Sequence, residues 1–153
     1  MMRTFEEWMT EYSASHQNKT NQLIHKVCVP FIMLSVLGIL WAIPVPAIFL
    51  QVPYLNWASL FTLGALGFYL SLNVAMFLGM IVQTLIMLTV CAWLAARGIL
   101  LQASIITFVI AWILQFYGHK LEGKSPSFLT DLAFLLIGPL WVQRSLYQFI
   151  GIK

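Results

Sequence analysis

The sequence predicts an all-α membrane protein. The expected fold is a polytopic helical bundle with four transmembrane helices, an amphipathic N-terminal helix and a re-entrant or interfacial C-terminal segment. Hydrophobic residues make up 61% of the chain and charged residues only 8%, whereas a soluble domain carries about 25% charged residues. Long apolar runs alternate with short polar or proline-rich segments, and every histidine and acidic residue lies outside residues 27–117. We expect residues 1–153 to form a single membrane domain.

The amphipathic helix is predicted from the first residues of the chain. Phe5, Trp8, Met9 and Tyr12 recur at helical spacing, and the glutamates of this segment fall on other faces. This pattern is typical of a short helix that lies on the bilayer or on the protein. The polar residues 15–22 predict a bend after it.

The first crossing is predicted over residues 27–43. Pro30 suits the first turn of a helix, where its missing N–H costs nothing. A helix from Pro30 to Ile43 would be only about 21 Å long, against a hydrocarbon core of about 30 Å. The helix must therefore begin before Pro30, continue past Pro44, or meet a thinned bilayer.

The next apolar region, residues 57–96, contains no charged residue over 40 positions. As one helix it would be about 60 Å long, twice the thickness of the bilayer core. We therefore predict two crossings, residues 57–71 and 74–96, joined by a turn at the polar residues 71–73. Gly98 is a common kind of helix stop after the second of them.

A fourth crossing is predicted over residues 99–117, which are long enough to span the bilayer. The following residues 128–150 contain Pro139, which is expected to break the apolar run in its middle. We predict a re-entrant or interfacial segment there, with a fifth crossing as the alternative.

Four crossings place both termini on the same side of the membrane. This side then carries all five acidic residues and most of the basic ones, whereas Arg97 lies on the other. The positive-inside rule assigns the basic side to the cytoplasm. The sequence therefore predicts an integral membrane protein whose two termini are cytoplasmic and whose partners include membrane lipids; it leaves a homo-oligomer open.

The chain has three histidines, and this topology puts all of them on one face. His119 and Glu122 are three residues apart and share one helix face if the fourth helix continues through them, with Cβ atoms about 5–6 Å apart. Asn21 and His25 are four apart, and a bend would have to return His16 toward them. Three imidazoles, with or without a carboxylate, suit Zn, Fe, Ni or Cu. The candidate metal ligands are His16, His25, His119 and Glu122.

Several function classes are excluded or disfavoured. A net charge of +3 is too small for nucleic-acid binding, which needs a dense basic patch. Three histidines are too few for the histidine boxes of the large di-iron desaturases. A transporter usually needs charged groups at mid-membrane, and residues 57–96 have none. The main alternative to an enzyme is a non-enzymatic lipid-binding or scaffold protein whose histidines hold a structural metal.

Three motifs together resemble a family of small membrane proteins. The first is His16-x4-Asn21-x3-His25, the second is the polar stretch of residues 115–126, and the third is the tail of residues 131–141. The best-understood members of this family are Fe(II)-dependent 2-hydroxy fatty acid dioxygenases. The chain is similar to the short members of bacterial type, which implies the bacterial inner membrane, or the ER membrane in a eukaryote.

The resemblance implies fatty acid α-oxidation, in which a long-chain 2-hydroxy fatty acid reacts with O2 and yields an acid one carbon shorter. It implies that Fe(II) is the cofactor and that the three histidines bind it, with Glu122 as a fourth ligand or a residue that supports the ligands. Asn21 or Gln115 would orient a ligand or the substrate hydroxyl. The expected catalytic residues are Glu122, Asn21 and Lys120. The residues expected to pair with the substrate carboxylate are Lys26, Lys120 and Lys124.

Overall fold

The computed structural model describes residues 3–129 and 131–151. Within these ranges every regular element is helical, which confirms the predicted all-α class. The α-helices are α1 (Phe5–Ala14), α2 (Lys19–Ala42), α3 (Trp57–Leu72), α4 (Val74–Ala96), α5 (Leu100–Glu122) and α6 (Phe134–Phe149). Two short 3-10 helices cover Ala47–Gln51 and Ser127–Leu129.

Three of the described helices, α2, α4 and α5, are long and apolar enough to cross a membrane. The sequence predicted four such helices. The fourth, α3, is apolar but has 16 residues, so it is about 24 Å long and shorter than the hydrocarbon core of about 30 Å. Large apolar side chains on α4 are exposed, including Leu78, Val82 and Ile86, which fits contact with lipid.

Helix α2 begins at Lys19, not at residue 27, and Pro30 lies inside it rather than in its first turn. The start is fixed by Asn18, whose Oδ1 accepts hydrogen bonds from the backbone N–H groups of Thr20 at 2.9 Å and Asn21 at 3.2 Å. Such a cap stabilises a helix start. Apolar helices of membrane proteins tolerate an internal proline, so the helix continues through Pro30 to Ala42. The helix therefore begins before Pro30, one of the three options that its length left open.

A turn was predicted at residues 71–73, and the structure separates α3 from α4 at Asn73. This residue ends α3 and starts α4 with an extended backbone, φ −162° and ψ 124°. Its Oδ1 accepts a hydrogen bond from the N–H of Met76 at 3.0 Å. Helix α4 ends at Ala96, as predicted, and Gly98 takes the left-handed φ of 70° that favours glycine after a helix.

Helix α5 continues past residue 117 to Glu122. His119 and Glu122 therefore lie in its last turns, as their predicted pairing on one face required. Gly123, with φ 71°, follows the helix end.

The chain forms two compact units, one of residues Met1–Pro30 with Ile110–Lys153 and one of residues Phe31–Val109. In the first unit the apolar face of α1 packs against α6. The rings of Trp8 and Phe134 meet edge to face at 5.1 Å, and those of Tyr12 and Trp141 lie 5.6 Å apart. The predicted amphipathic helix is thus confirmed, and its apolar face covers protein.

The prediction that Pro139 breaks the C-terminal segment is wrong, because α6 runs through it from Phe134 to Phe149. The residues around the proline, from Ile137 to Trp141, are buried. A Cβ on Gly138 would lie 3.1 Å from Tyr12 Oη, so α1 approaches α6 closely here. We infer that this packing offsets the backbone hydrogen bond that the proline removes. Helix α6 is not among the helices that meet the length and hydropathy of a span.

Candidate metal centre

The structure brings the three histidines together within the first unit. One ring nitrogen from each of His16, His25 and His119 lies within 4.8 Å of the others. The ring centroids of His16 and His25 are 4.2 Å apart, those of His25 and His119 4.8 Å, and those of His16 and His119 5.2 Å. The three side chains are 1%, 3% and 6% exposed. They come from three different segments, so the cluster is a product of tertiary structure.

His16 lies in the bend between α1 and α2, and its orientation is set by the end of α1. Its Nδ1 donates a hydrogen bond to the carbonyl of Tyr12 at 2.7 Å, and its ring stacks on the Tyr12 ring at 4.2 Å. The other nitrogen, Nε2, is buried and has no hydrogen-bond partner among the described residues. Because Nδ1 carries the proton, Nε2 presents a lone pair to the cluster.

His25 is held in the same way on α2. Its Nδ1 donates to the carbonyl of Asn21, one turn earlier, at 3.0 Å, and this leaves Nε2 as the free lone pair. His119 in the last turn of α5 has a buried Nδ1 without a partner in the described part of the chain. A hydrogen bond on the distal nitrogen of a metal-binding imidazole fixes its tautomer and its ring orientation, and the carbonyls of Tyr12 and Asn21 provide it for His16 and His25.

Burial also controls the charge of the cluster. Removal from solvent lowers the pKa of His16 to about 4, although its hydrogen bond to the Tyr12 carbonyl acts in the opposite direction. His16 is therefore neutral near pH 7, which is the form that binds a metal ion.

The residues fit a bound transition metal. Two buried ring nitrogens, His16 Nε2 and His119 Nδ1, have no partner in the described chain, and an unsatisfied buried polar atom costs about 1–3 kcal/mol. A cation shared by the three imidazoles would satisfy both. A three-nitrogen donor set suits Zn, Fe, Ni or Cu, so the geometry does not select one of them.

Glu122 is placed beside this cluster but is engaged elsewhere. Its Oε1 accepts a hydrogen bond from the N–H of Gln17 at 2.8 Å, and its Oε2 accepts from the N–H of Asn18 at 2.8 Å and from Asn21 Nδ2 at 3.0 Å. Both carboxylate oxygens thus bind the bend that carries His16 and the first turn of α2. The carboxylate joins the end of α5 to these two segments.

The three candidate lysines occupy different surroundings. Lys124 Nζ donates to the carbonyl of Ala14 at 2.7 Å and so binds the end of α1. Lys26 Nζ lies 5.7 Å from the centre of the Trp141 ring, beside a cavity of about 730 Å³ that Arg144 also lines. Lys120 lies on the exposed face of α5.

Sequence reasoning missed two aromatic residues that shape the centre. Tyr12 supplies both a carbonyl and a stacked ring to His16, and its spacing of four residues from His16 was the available signal. Trp141 packs 5.6 Å from the His16 ring, and its Nε1 donates to Ser13 Oγ at 3.0 Å. Trp141 ends the third of the motifs that carry the family resemblance, and this was the available signal, although the motif did not show that it packs on His16.

A model of one protein family matches residues 2–150, and it is described as "Mpo1-like: 2-hydroxy-palmitic acid dioxygenase Mpo1-like". The matched range contains the three histidines and Glu122. No curated protein matches the chain, and no solved structure matches it either.

Proposed function

Because the chain belongs to the Mpo1-like family, whose description names a 2-hydroxy-palmitic acid dioxygenase, we propose that it is an Fe(II)-dependent dioxygenase of long-chain 2-hydroxy fatty acids. The observation that carries the proposal is the cluster of three buried imidazoles, two of which have a ring nitrogen without a partner in the described chain. The overall reaction would convert a 2-hydroxy acid and O2 into the acid one carbon shorter, carbon dioxide and water.

His16, His25 and His119 would hold the iron. Bound Fe(II) would supply open coordination positions for O2 and for the carboxylate and hydroxyl of the substrate. The carbonyls of Tyr12 and Asn21 keep His16 and His25 in the tautomer that presents Nε2. The burial of all three rings excludes water from the donor atoms.

We assign Glu122 a positioning role rather than a place among the ligands. Its two oxygens already accept three hydrogen bonds from Gln17, Asn18 and Asn21. These bonds hold the last turn of α5, with His119, against the segment that carries His16 and His25. Asn21 contributes twice, through its side-chain amide to Glu122 and through its carbonyl to His25.

Lys26 is the best supported of the three lysines for the substrate carboxylate. It follows His25 directly and lines the cavity beside Trp141. Lys120 is exposed and would act on the acid before it enters the site. Lys124 is bound to the Ala14 carbonyl, which favours a structural role for it.

The proposal includes a membrane topology with four crossings and both termini in the cytoplasm, in a bacterial inner membrane or an ER membrane. Helix α3 would be the short crossing, and a bilayer accommodates a short helix by local thinning at modest cost. An even number of crossings keeps the basic residues near His25 and His119 on one side. The substrate would then keep its acyl chain in the bilayer while its polar group meets the imidazoles.

The test uses the full chain in lipid nanodiscs with Fe(II), O2 and 2-hydroxypalmitate. Mass spectrometry is expected to detect the acid one carbon shorter, with one O2 consumed per product. His25→Ala and His119→Ala are expected to abolish both signals, whereas Gln102→Ala on the exposed face of α5 is expected to keep them. Stoichiometric bound zinc with no turnover would contradict the proposal and favour the alternative of a non-enzymatic protein with a structural metal.

A further inference from the structure

Gln115 is a buried amide whose oxygen has no partner among the described residues. It lies on α5 one turn before His119, so the two side chains share a helix face. Gln115 is 4% exposed, and its Oε1 accepts no hydrogen bond from the described part of the chain. Burial of a hydrogen-bond acceptor without a donor is unfavourable. A ligand that donates a hydrogen bond to this oxygen would remove that cost.

The register of α2 against α5 gives the level at which Gln115 lies along α2. Glu122 contacts Gln17 and Asn18, and one turn earlier on α5, Gly118 contacts Asn21 and Ile24. The two helices are therefore antiparallel in this unit. Gln115 lies about one helical turn nearer the start of α5 than Gly118. It therefore lies level with the turn of α2 that carries His25.

Asn21 Oδ1 is also buried without a partner in the described chain, but it cannot serve a ligand in the same way. It packs against the backbone of Gly118 so tightly that a Cβ at that position would collide with it. The Asn21 amide is in addition held by Glu122. Of these two amides, that of Gln115 is the one for which neither this approach to a glycine nor a hydrogen bond from its NH2 group to Glu122 is found in the described chain.

We propose that the Gln115 amide oxygen accepts the hydrogen bond of the substrate's 2-hydroxyl group and so selects 2-hydroxy acids over unsubstituted acids. This inference rests on the proposed function and assigns one specificity-determining residue to it. A site built to hydrogen-bond a hydroxyl rejects an analogue that lacks it, because the polar group of the protein is then left unpaired. The expected ligand feature is an O–H donor next to the carboxylate.

The position of Gln115 relative to the membrane supports this assignment. His119 and Glu122 lie at the C-terminal end of α5. Gln115 precedes His119 by four residues and therefore lies nearer the apolar part of the helix. A fatty acid whose chain is in the bilayer would bring its second carbon to the imidazoles from that side. Its hydroxyl would then meet Gln115 while its carboxylate meets the histidine cluster.

The inference is tested by binding, without turnover. The Fe(II)-loaded full chain in nanodiscs is kept free of O2, and palmitate, 2-hydroxypalmitate and 2-methoxypalmitate compete with a fluorescent fatty acid. The wild-type protein is expected to prefer 2-hydroxypalmitate and to bind the other two acids alike. Gln115→Met, which keeps the size but removes the amide, is expected to lower the ratio of the 2-hydroxypalmitate and palmitate affinities about tenfold, the value of one neutral hydrogen bond.

Two further variants keep the test decisive. Gln102→Met makes the same chemical change on the exposed face of α5 and is expected to retain the wild-type ratio. Gln115→Glu keeps an acceptor oxygen and is expected to retain the preference for the hydroxyl while it weakens all three acids by charge repulsion. If Gln115→Met does not fold, loss of the preference in Gln115→Glu would overturn the inference and its retention would support it.

Three other outcomes in Gln115→Met would also overturn the inference. The first is an unchanged ratio of the 2-hydroxypalmitate and palmitate affinities, and the second is equal weakening of all acids. The third is loss of the bound iron, which would make Gln115 a ligand. Its failure can be told apart from failure of the proposed function. Turnover with an unchanged ratio in Gln115→Met refutes only the role of Gln115. Selective binding that Gln115→Met abolishes, without any shortened product from the wild type, refutes only the dioxygenase.

Discussion

Replacement of Glu122 tests whether this carboxylate positions the histidines or binds the metal. Glu122→Gln keeps the size of the side chain but replaces one of the two acceptor oxygens with an NH2 group. This NH2 group would face a backbone N–H, so one hydrogen bond is replaced by two opposed donors. The wild-type carboxylate accepts two backbone hydrogen bonds at 2.8 Å and one from Asn21 at 3.0 Å. Glu122→Ala removes all three.

The size of the effect follows from the number and setting of these bonds. A hydrogen bond to a charged group contributes about 1.5–3 kcal/mol when buried, but Glu122 is only partly buried and solvent screens it. We therefore assign about 2 kcal/mol to the three bonds together, the upper range for a helix cap. If this energy holds the three rings together, its loss weakens metal binding by about 30-fold, within the 10–100-fold range for residues that support metal ligands.

The assay is a competition for Co(II) between the protein in detergent and a chromogenic chelator, with the visible spectrum of bound Co(II) as a second readout. Glu122→Gln and Glu122→Ala are expected to weaken Co(II) binding about 10–100-fold and leave the spectrum unchanged. Glu11→Gln is the matched control, because its exposed ion pair with Arg3 at 3.5 Å contributes at most about 1 kcal/mol. Affinities equal to that control, or a changed spectrum that makes Glu122 a ligand, would refute the reasoning.

Three further changes have defined outcomes. Gly118→Ala is expected to lower both the unfolding temperature and the Co(II) affinity because the new methyl group collides with the amide packed there, whereas Gly64→Ala, with nothing within 4 Å, is expected to be neutral or slightly stabilising. The pKa of His16 is lowered from 6.5 to about 4 in the folded protein, so unfolding favours its protonation. Protonation of His16 alone should then cost the metal-free protein about 3 kcal/mol of stability as the pH falls from about 6.5 to about 4, and denaturant titrations of His16→Gln should show a smaller loss. Lys26→Met is expected to raise KM for the 2-hydroxy acid several-fold with little change in kcat, and Lys120→Met to change KM less; equal effects would contradict the assignment of the carboxylate to Lys26.

The helices and the histidine cluster were predictable because they depend on patterns that the sequence carries directly. Apolar runs have lengths that can be compared with the bilayer, and Asn73 stood out as the polar point between two crossings. The convergence of His16, His25 and His119 was predicted from a count of four crossings, although only three of the described helices have the length and hydropathy of a span. It did not need a knowledge of the side-chain packing.

The errors came from interactions that no local pattern records. Pro139 was expected to break the C-terminal segment because a proline removes a backbone hydrogen bond, yet it lies inside α6; Pro30 lies inside α2 rather than in the first turn that it suits, as a helix that begins before it requires. At Pro139 the compensating contacts come from α1, which is more than a hundred residues away in sequence.

The sequence left two options for Glu122, a metal ligand or a residue that supports the ligands. Its spacing of three from His119 correctly placed both on one face of α5. Two of its three hydrogen-bond donors are backbone N–H groups, of Gln17 and Asn18, and backbone donors leave no signature in the amino-acid sequence. The same holds for the carbonyls of Tyr12 and Asn21 that orient two of the imidazoles.

The central claim is that the three imidazoles share one iron ion, and elemental analysis of protein purified without a metal-chelating tag tests it most directly. We expect about one iron per chain in the wild-type protein and none above background in His119→Ala. A wild-type protein that carries no bound transition metal, or a His119→Ala variant that carries as much as the wild type, would contradict the claim.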